Sequence, residues 1–205
     1  MTNYKYLIIG GGMTAAAAAD GIRAIDPAGS IGIISAEPDP PYDRPPLSKG
    51  LWKGDPLESV WRKMTGISPE LHLGCVVNEI VPDKKQVIDN EGNVFSYGKL
   101  LLATGGTPRR LPFDDDQTIY FRTLSDYQRL RALTETGRRF AIIGGGFIGT
   151  EIAAALAMNG KNVVLIFPGQ EIGERLFPHD LAFQRLAAGQ GDPEAAPAGA
   201  AACSR

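Results

Sequence analysis

An α/β fold with two β-α-β units in tandem, the second truncated and a β-meander crossover between them, is predicted by three features of this sequence. The first is Tyr4 to Ala19, an apolar strand that stops at Gly10-Gly11-Gly12 and continues as an alanine-rich helix. The second is the return of that theme at Arg139 to Gly149, RFAIIGGGFIG, again strand, triple glycine and helix. The third is Gly66 to Thr104, where short apolar runs alternate with turn residues.

The spacing within each unit has a physical purpose. Gly10, Gly12 and Ala15 fill a G-x-G-x-x-G/A pattern, and Gly144, Gly146 and Gly149 fill it completely. One glycine makes the tight turn, one lets a pyrophosphate approach the backbone, and one small residue allows the helix to pack on the strand. The helix N-terminus that follows turns backbone N–H groups and a positive dipole end toward that anion. A single motif fits a plain flexible turn as well. Repetition of the whole strand–turn–helix is what argues for two Rossmann-like units, and hence for two dinucleotides.

Taken in order, the first helix is expected to end near Asp26-Pro27-Ala28-Gly29, and Ser30 to Glu37 to form the second strand. Glu37 stands at that strand's end, somewhat past the ~20-residue spacing at which an acidic residue accepts from a ribose 2′-hydroxyl; a solvated loop carboxylate is the alternative. The proline-rich EPDPPYDRPPLSKGLWKGD follows. Its prolines pre-set an extended or turned backbone and forbid a helix, so Arg44 to Ser48 should be stiff, with Ser48 placed to cap a short helix from Lys49. The stretch reads either as a surface loop or as a wall of a ligand site carrying the cations Arg44 and Lys49.

Beyond it the expectations are a strand at Cys75 to Val81, a hairpin turn near Asn90 to Asn93, and a strand at Lys99 to Ala103. That strand ends in Ala103-Thr104-Gly105-Gly106, small residues that admit a close approach. Pro108 to Asp116 reads as a boundary. The second unit is then expected to hold a strand at Ile119 to Phe121, a helix capped by Ser125 and running to Thr136, the glycine motif, and a strand at Asn162 to Phe167. A helix start at Pro178 to Leu186 gives way to an Ala/Gly/Pro tail with the composition of disorder. The predicted domains are 1–112, 113–188 (partial) and a low-complexity 189–205.

With 43% hydrophobic and 21% charged residues, the composition is that of an ordinary globular chain. A formal net charge of −2 supplies no field for nucleic acid or an anionic membrane, and no apolar run reaches the ~20 residues of a membrane helix. The first strand begins almost at Met1, which leaves no room for a signal peptide and makes the cytoplasm the expected location. Cys75 and Cys203 are far apart, and with His72 and His179 they offer no disulfide framework, redox dithiol or metal cluster; each histidine reads as a surface or loop residue.

The paired glycine motifs, Leu101-Leu102-Ala103-Thr104-Gly105 between them, and Arg44-Pro45-Pro46-Leu47-Ser48-Lys49 together resemble the FAD-dependent pyridine-nucleotide oxidoreductases. The branch is that of the apoptosis-inducing-factor-like flavoproteins and the rubredoxin and ferredoxin reductases. The resemblance covers Lys5 to Phe183. It implies that Gly10, Gly12, Met13, Thr14 and Ala15 hold the FAD pyrophosphate and Glu37 its adenosine ribose. It further implies that Val77 offers its backbone to the adenine, that Ala103 to Gly105 and Arg44 contact FAD, and that Arg122 touches the flavin region. NAD(P)H would lie at Gly144, Gly146, Phe147, Ile148 and Gly149. Lys49 and Glu151 would form a buried pair beside the flavin, holding the two domains in register. The chemistry implied is hydride transfer from nicotinamide to flavin N5 and electron delivery to an external acceptor, for which a redox protein is the candidate, because the disulfide reductases' C-x-x-C is absent near Pro45. Glu171 and Arg175 leave NAD against NADP open. The family's returning FAD segment and C-terminal domain are not in the sequence, so a catalytically silent nucleotide-binding fragment or interaction module is the alternative.

Overall fold

The computed structural model describes residues 1–64, 66, 68–112, 115–168 and 172. The expected helix start at Pro178 to Leu186, the 189–205 tail, His179 and Cys203 lie outside them. Two compact units are present: Met1–Asp43 with Leu57–Thr107, and Arg44–Pro56 with Pro108–Arg205.

The first unit is a mixed sheet of six strands. β1 (Thr2–Ile9), β2 (Ile31–Ser35), β3 (Glu70–Leu73), β4 (Val77–Val81), β5 (Gln86–Asp89) and β6 (Val94–Leu102) lie in the order β3-β2-β1-β6-β5-β4. β3, β2, β1 and β6 run parallel, while β4, β5 and β6 form the antiparallel meander. β6 joins the two parts, since its start pairs with β5 and its full length with β1. The β1–β2 connection is helix α1 (Met13–Ile25). Alternation along β1 sends Ile8 to a cluster with Ala15 and Ala19 of α1, and Leu7 and Ile9 to the cluster on Phe95 and Val87. Leu7, Ile8, Ile33 and Ile34 are essentially inaccessible, and each such side chain contributes about 1.5–3 kcal/mol relative to exposure.

The second unit repeats the scheme. β7 (Arg139–Ile143), α3 (Phe147–Met158) and β8 (Asn162–Ile166) form a parallel β-α-β, preceded by α2 (Leu124–Thr136). Its core gathers Leu130, Ile152, Ala155 and Leu156 around Trp52 of the proline-rich segment.

Several local expectations are corrected. Glu70–Leu73 is a parallel strand on β2 that four residues alone did not reveal, and His72 within it is half-buried. It bonds to the Tyr4 hydroxyl at 2.7 Å and packs its edge on Phe95. β4 starts at Val77, not Cys75, because Gly74 turns with φ +69° and the Val76 N–H is taken by the Asn90 side chain. Ile119 to Phe121 is not a strand; its apolar residues pack on the Trp52 cluster instead of pairing. α2 is capped by Thr123, not Ser125. The Thr123 hydroxyl accepts from the Asp126 N–H and the Asp126 carboxylate accepts from the Thr123 N–H, a reciprocal capping box.

Of the extended and turned backbones that the prolines allow, Pro45–Ser48 takes the turned one. Those residues form a 3-10 turn with proline at its start, and Gly50–Lys53 forms a second. Leu47, Leu51 and Trp52 are buried, and the Trp52 indole N–H donates to the Leu47 carbonyl at 2.8 Å. Anchoring by these apolar side chains adds to the stiffness that proline supplies.

Candidate functional site

In the first unit the glycine turn is built from three different demands. Gly10 adopts φ +109°, and a Cβ there would stand 2.2 Å from the Ala103 carbonyl oxygen at the end of β6. A Cβ on Gly11 would strike the Ser35 side chain at 2.3 Å. Gly12 has an ordinary φ of −87°, and its Cβ direction is open, with no atom within 4 Å. Gly12 is the N-cap of α1, yet it offers no capping side chain, and no acidic residue occupies the first turn. Met13, Thr14 and Ala15 form that first turn, with Ala15 buried against β1 and β2.

The turn at Gly144 reproduces this geometry. Gly10 N–H donates to the Ile34 carbonyl and Gly144 N–H to the Ile166 carbonyl, each at 2.8 Å. Gly144 has φ +122°, and Gly146 caps α3 at φ −84°, again without a side-chain bond and without an acidic first turn. Gly149 is required where the first motif has alanine, since a Cβ there would lie 2.0 Å from the Gly144 carbonyl oxygen. Phe147 and Ile148 stand about half exposed in the first turn of α3. α2, whose N-terminus is closed by its own capping box, makes the contrast: α1 and α3 each begin at a glycine that supplies no side-chain cap. Among the described residues, two uncapped glycine turns therefore fit the pyrophosphate of a dinucleotide.

The remaining expected residues divide between the units. In the first, Glu37 follows β2; its N–H donates to the Ser35 hydroxyl, its carbonyl accepts from Gly74, and its carboxylate accepts from the Tyr42 hydroxyl at 2.5 Å. Ala103 extends β6 beside Gly10, with its N–H donating to Ile9, and Thr104 and Gly105 are exposed after it. Val77 opens β4 opposite Asp89.

In the second unit, Arg44 donates to the Arg122 backbone carbonyl at 2.9 Å, which ties the proline-rich segment to the residue just before the α2 cap. Lys49 Nζ lies 2.9 Å from Glu151 Oε2. The pair forms, but it is not buried: the side chains are 53% and 27% exposed, since Lys49 leaves a surface turn and Glu151 stands in the first turns of α3. Both residues belong to the second unit, so their bond ties the proline-rich segment to α3. Glu171 and Arg175 lie outside the described residues.

Three polar side chains that the sequence did not single out for the site also take part. Ser48 is no cap; its buried hydroxyl donates to the same Glu151 oxygen at 2.6 Å. Arg62 donates to Asp43 at 2.8 Å and to the Met13 carbonyl at 3.1 Å, which sets a guanidinium beside the first turn of α1. Tyr42 is the third. Ser48 and Arg62 act through bonds to partners far along the chain, which sequence spacing does not record, whereas Tyr42 bonds only five residues back, to Glu37.

Elsewhere in the first unit, Cys75 donates to Asp89 at 3.1 Å. Burial and that carboxylate push its thiol up to about 12. Such a thiol is not a nucleophile at neutral pH. Among the described residues no group of three or more His, Cys, Asp or Glu is placed to hold a metal, and no helix is long and apolar enough to cross a membrane.

The description "Pyridine nucleotide-disulphide oxidoreductase" matches residues 4–186. The chain is 37% identical over 188 residues to the anthranilate 1,2-dioxygenase system ferredoxin–NAD(+) reductase component of Burkholderia cepacia, covering 87% of this chain and 46% of that protein. It is 32% identical to mitochondrial apoptosis-inducing factor 1 of Dictyostelium discoideum, covering 85% of this chain and 38% of that one. Among solved structures, a ferredoxin reductase from Rhodopseudomonas palustris superposes with a TM-score of 0.84 at 26% identity, over 98% of this chain and 50% of that chain. The chain thus spans less than half the length of the curated relatives it matches.

Proposed function

Because this chain belongs to the pyridine nucleotide-disulphide oxidoreductase family, we propose that its first glycine turn holds FAD and its second NAD(P)H. Together they would serve an oxidoreductase that passes electrons to an external acceptor of the ferredoxin type. The observation that carries this reading is the contrast among the three helix starts: α2 caps itself, whereas α1 and α3 open uncapped from glycine. Nucleotide-dependent ferredoxin reduction is what the name of the Burkholderia relative states, and the acceptor is proposed on that likeness.

FAD, when bound, supplies the two-electron carrier that a nicotinamide can reduce and a one-electron protein can oxidise. The chain's own residues bind and orient. Gly12 lets the FAD pyrophosphate approach the first turn of α1, and Glu37 accepts from the adenosine ribose. Arg44, Val77, Ala103 to Gly105 and Arg122 are proposed as further FAD contacts. Gly146, Phe147, Ile148 and Gly149 serve the nicotinamide dinucleotide in the same manner. Lys49 presents a positive charge toward the flavin ring, and Glu151 with Ser48 fixes where that charge stands. No catalytic acid or nucleophile is required of the protein.

The test is the colour of the purified protein. A yellow chain, or one that takes up FAD on titration and whose flavin band bleaches anaerobically with NADH or NADPH, supports the proposal. A chain that binds neither FAD nor a nicotinamide dinucleotide contradicts it.

A further inference from the structure

We propose that Tyr42 is the positioning residue that presents the Glu37 carboxylate to an adenosine ribose with free 2′ and 3′ hydroxyls. The proposal deepens the FAD assignment of the first glycine turn and rests on it.

Tyr42 is 3% exposed, yet its hydroxyl is not idle: it donates to Glu37 Oε2 at 2.5 Å. A phenol to a carboxylate at that length is a charge-assisted bond of the strong kind. The phenol ring cannot follow a wandering carboxylate, because it is held on every scale. Its edge meets Trp61 at 88° with centroids 6.2 Å apart, and Tyr42 and Trp61 form a backbone bridge. On either side of that bridge, Asp43 N–H donates to the Val60 carbonyl and Arg62 N–H to the Pro41 carbonyl. Residues 41–43 and 60–62 thus form a short antiparallel clip.

The clip reaches both halves of the expected ligand. Through Tyr42 it holds Glu37, and through Arg62 it holds the Met13 carbonyl in the first turn of α1. The Glu37 backbone is pinned separately, to Ser35 and Gly74. Left to itself a glutamate side chain samples many rotamers, and ordering it costs entropy at the moment of binding. With Tyr42 in place that cost is met during folding. A carboxylate has about four acceptor positions, and the phenol takes one of them. A 2′-phosphate in the same place would bring negative charge against the fixed carboxylate, and the site selects against it.

Tyr42→Phe tests the proposal, since it keeps the ring and its packing and removes only the donor. FAD affinity is measured by fluorescence titration for the wild type, Tyr42→Phe, Glu37→Gln and the double variant. Each is also titrated with an FAD whose adenosine lacks both ribose hydroxyls. The expected result is a rise of about tenfold in the FAD Kd of Tyr42→Phe, little change for the dideoxy ligand, and no further loss from Tyr42→Phe once Glu37→Gln is present. Equal weakening of both ligands by Tyr42→Phe, or additive losses in the double variant, would make Tyr42 a packing residue and overturn the proposal. If the wild type binds both ligands equally well, the ribose role of Glu37 fails and the proposal with it. If the wild type binds neither, the FAD reading itself has failed.

Discussion

The two glycine turns have nearly the same backbone and very different surroundings. Gly10 and Gly144 share a positive φ and the same bond to the neighbouring strand, and both helices leave an uncapped glycine. But β1 lies between β2 and β6, so Gly10 is walled by the Ala103 carbonyl. β7 pairs with β8 alone among the described residues, and no atom lies within 4 Å of a Cβ on Gly144. Ile143 and Ile166, at the ends of β7 and β8, are 55% and 39% exposed, whereas their counterparts Ile9 and Ile34 are buried. The comparison separates what the turn itself requires from what its sheet requires: a positive φ belongs to the turn, and steric exclusion belongs to the packing around it.

Alanine substitutions can pull those terms apart. Gly10→Ala combines about 1–3 kcal/mol of backbone strain with a clash against main-chain atoms that cannot swing away. It should be the most damaging change, unfolding the first unit or lowering its stability by about 4 kcal/mol or more. Gly144→Ala meets strain without the clash, and about 1–3 kcal/mol is expected. Denaturant titrations that report each unit separately decide between them, and equal losses would break the comparison.

Gly11→Ala should come next in the first unit, because the Ser35 hydroxyl must move; adding Ser35→Gly should restore much of the loss, and a double variant no better than the single one would discount that contact. At α2, Thr123→Ala removes a working cap and should cost about 1 kcal/mol in the second unit.

The smallest effect is set by acid and concerns the first unit. Burial of Asp89 raises its pKa, but bonds from the Asn93 amide, Cys75 and the Asn93 and Glu91 backbone outweigh that and hold the carboxyl at about 2. A folded value below the unfolded one, about 3.9, stabilises the fold above that pH, and the contribution fades as pH falls from ~4 toward ~2. Asp89→Asn should flatten the acid limb of the unit's stability profile, and an unchanged limb would remove Asp89 from it.

How much of this was readable in advance follows from the range of the interactions. Both β-α-β units were legible because a five-residue apolar run, a triple glycine and an alanine-rich helix are local signals. The meander was legible for the same reason, through its turn residues at Asn90 to Asn93. β3 was not, since Glu-Leu-His-Leu becomes a strand by pairing with β2, a partner far along the chain. Ile119 to Phe121 misled in the opposite sense: its apolar residues announced burial, and burial came by packing under Trp52. At the candidate site, the glycines could be placed from spacing, and the Lys49–Glu151 contact from the family resemblance. Its exposure could not, nor could the phenol of Tyr42, the hydroxyl of Ser48 or the guanidinium of Arg62, because no periodicity records which single acceptor an irregular segment's side chain will reach.

The central claim is that the two turns are separate seats for two different dinucleotides. Its most direct test compares Gly12→Ala with Gly146→Ala. Both positions have an ordinary φ and open space around the Cβ, so neither change should disturb the fold. When FAD and then NADH are titrated calorimetrically into each variant, Gly12→Ala should lose at least about tenfold in FAD affinity and keep its affinity for NADH, with Gly146→Ala showing the reverse. A Gly12→Ala protein that binds FAD as the wild type does, or one turn's substitution that abolishes both ligands, would contradict the account.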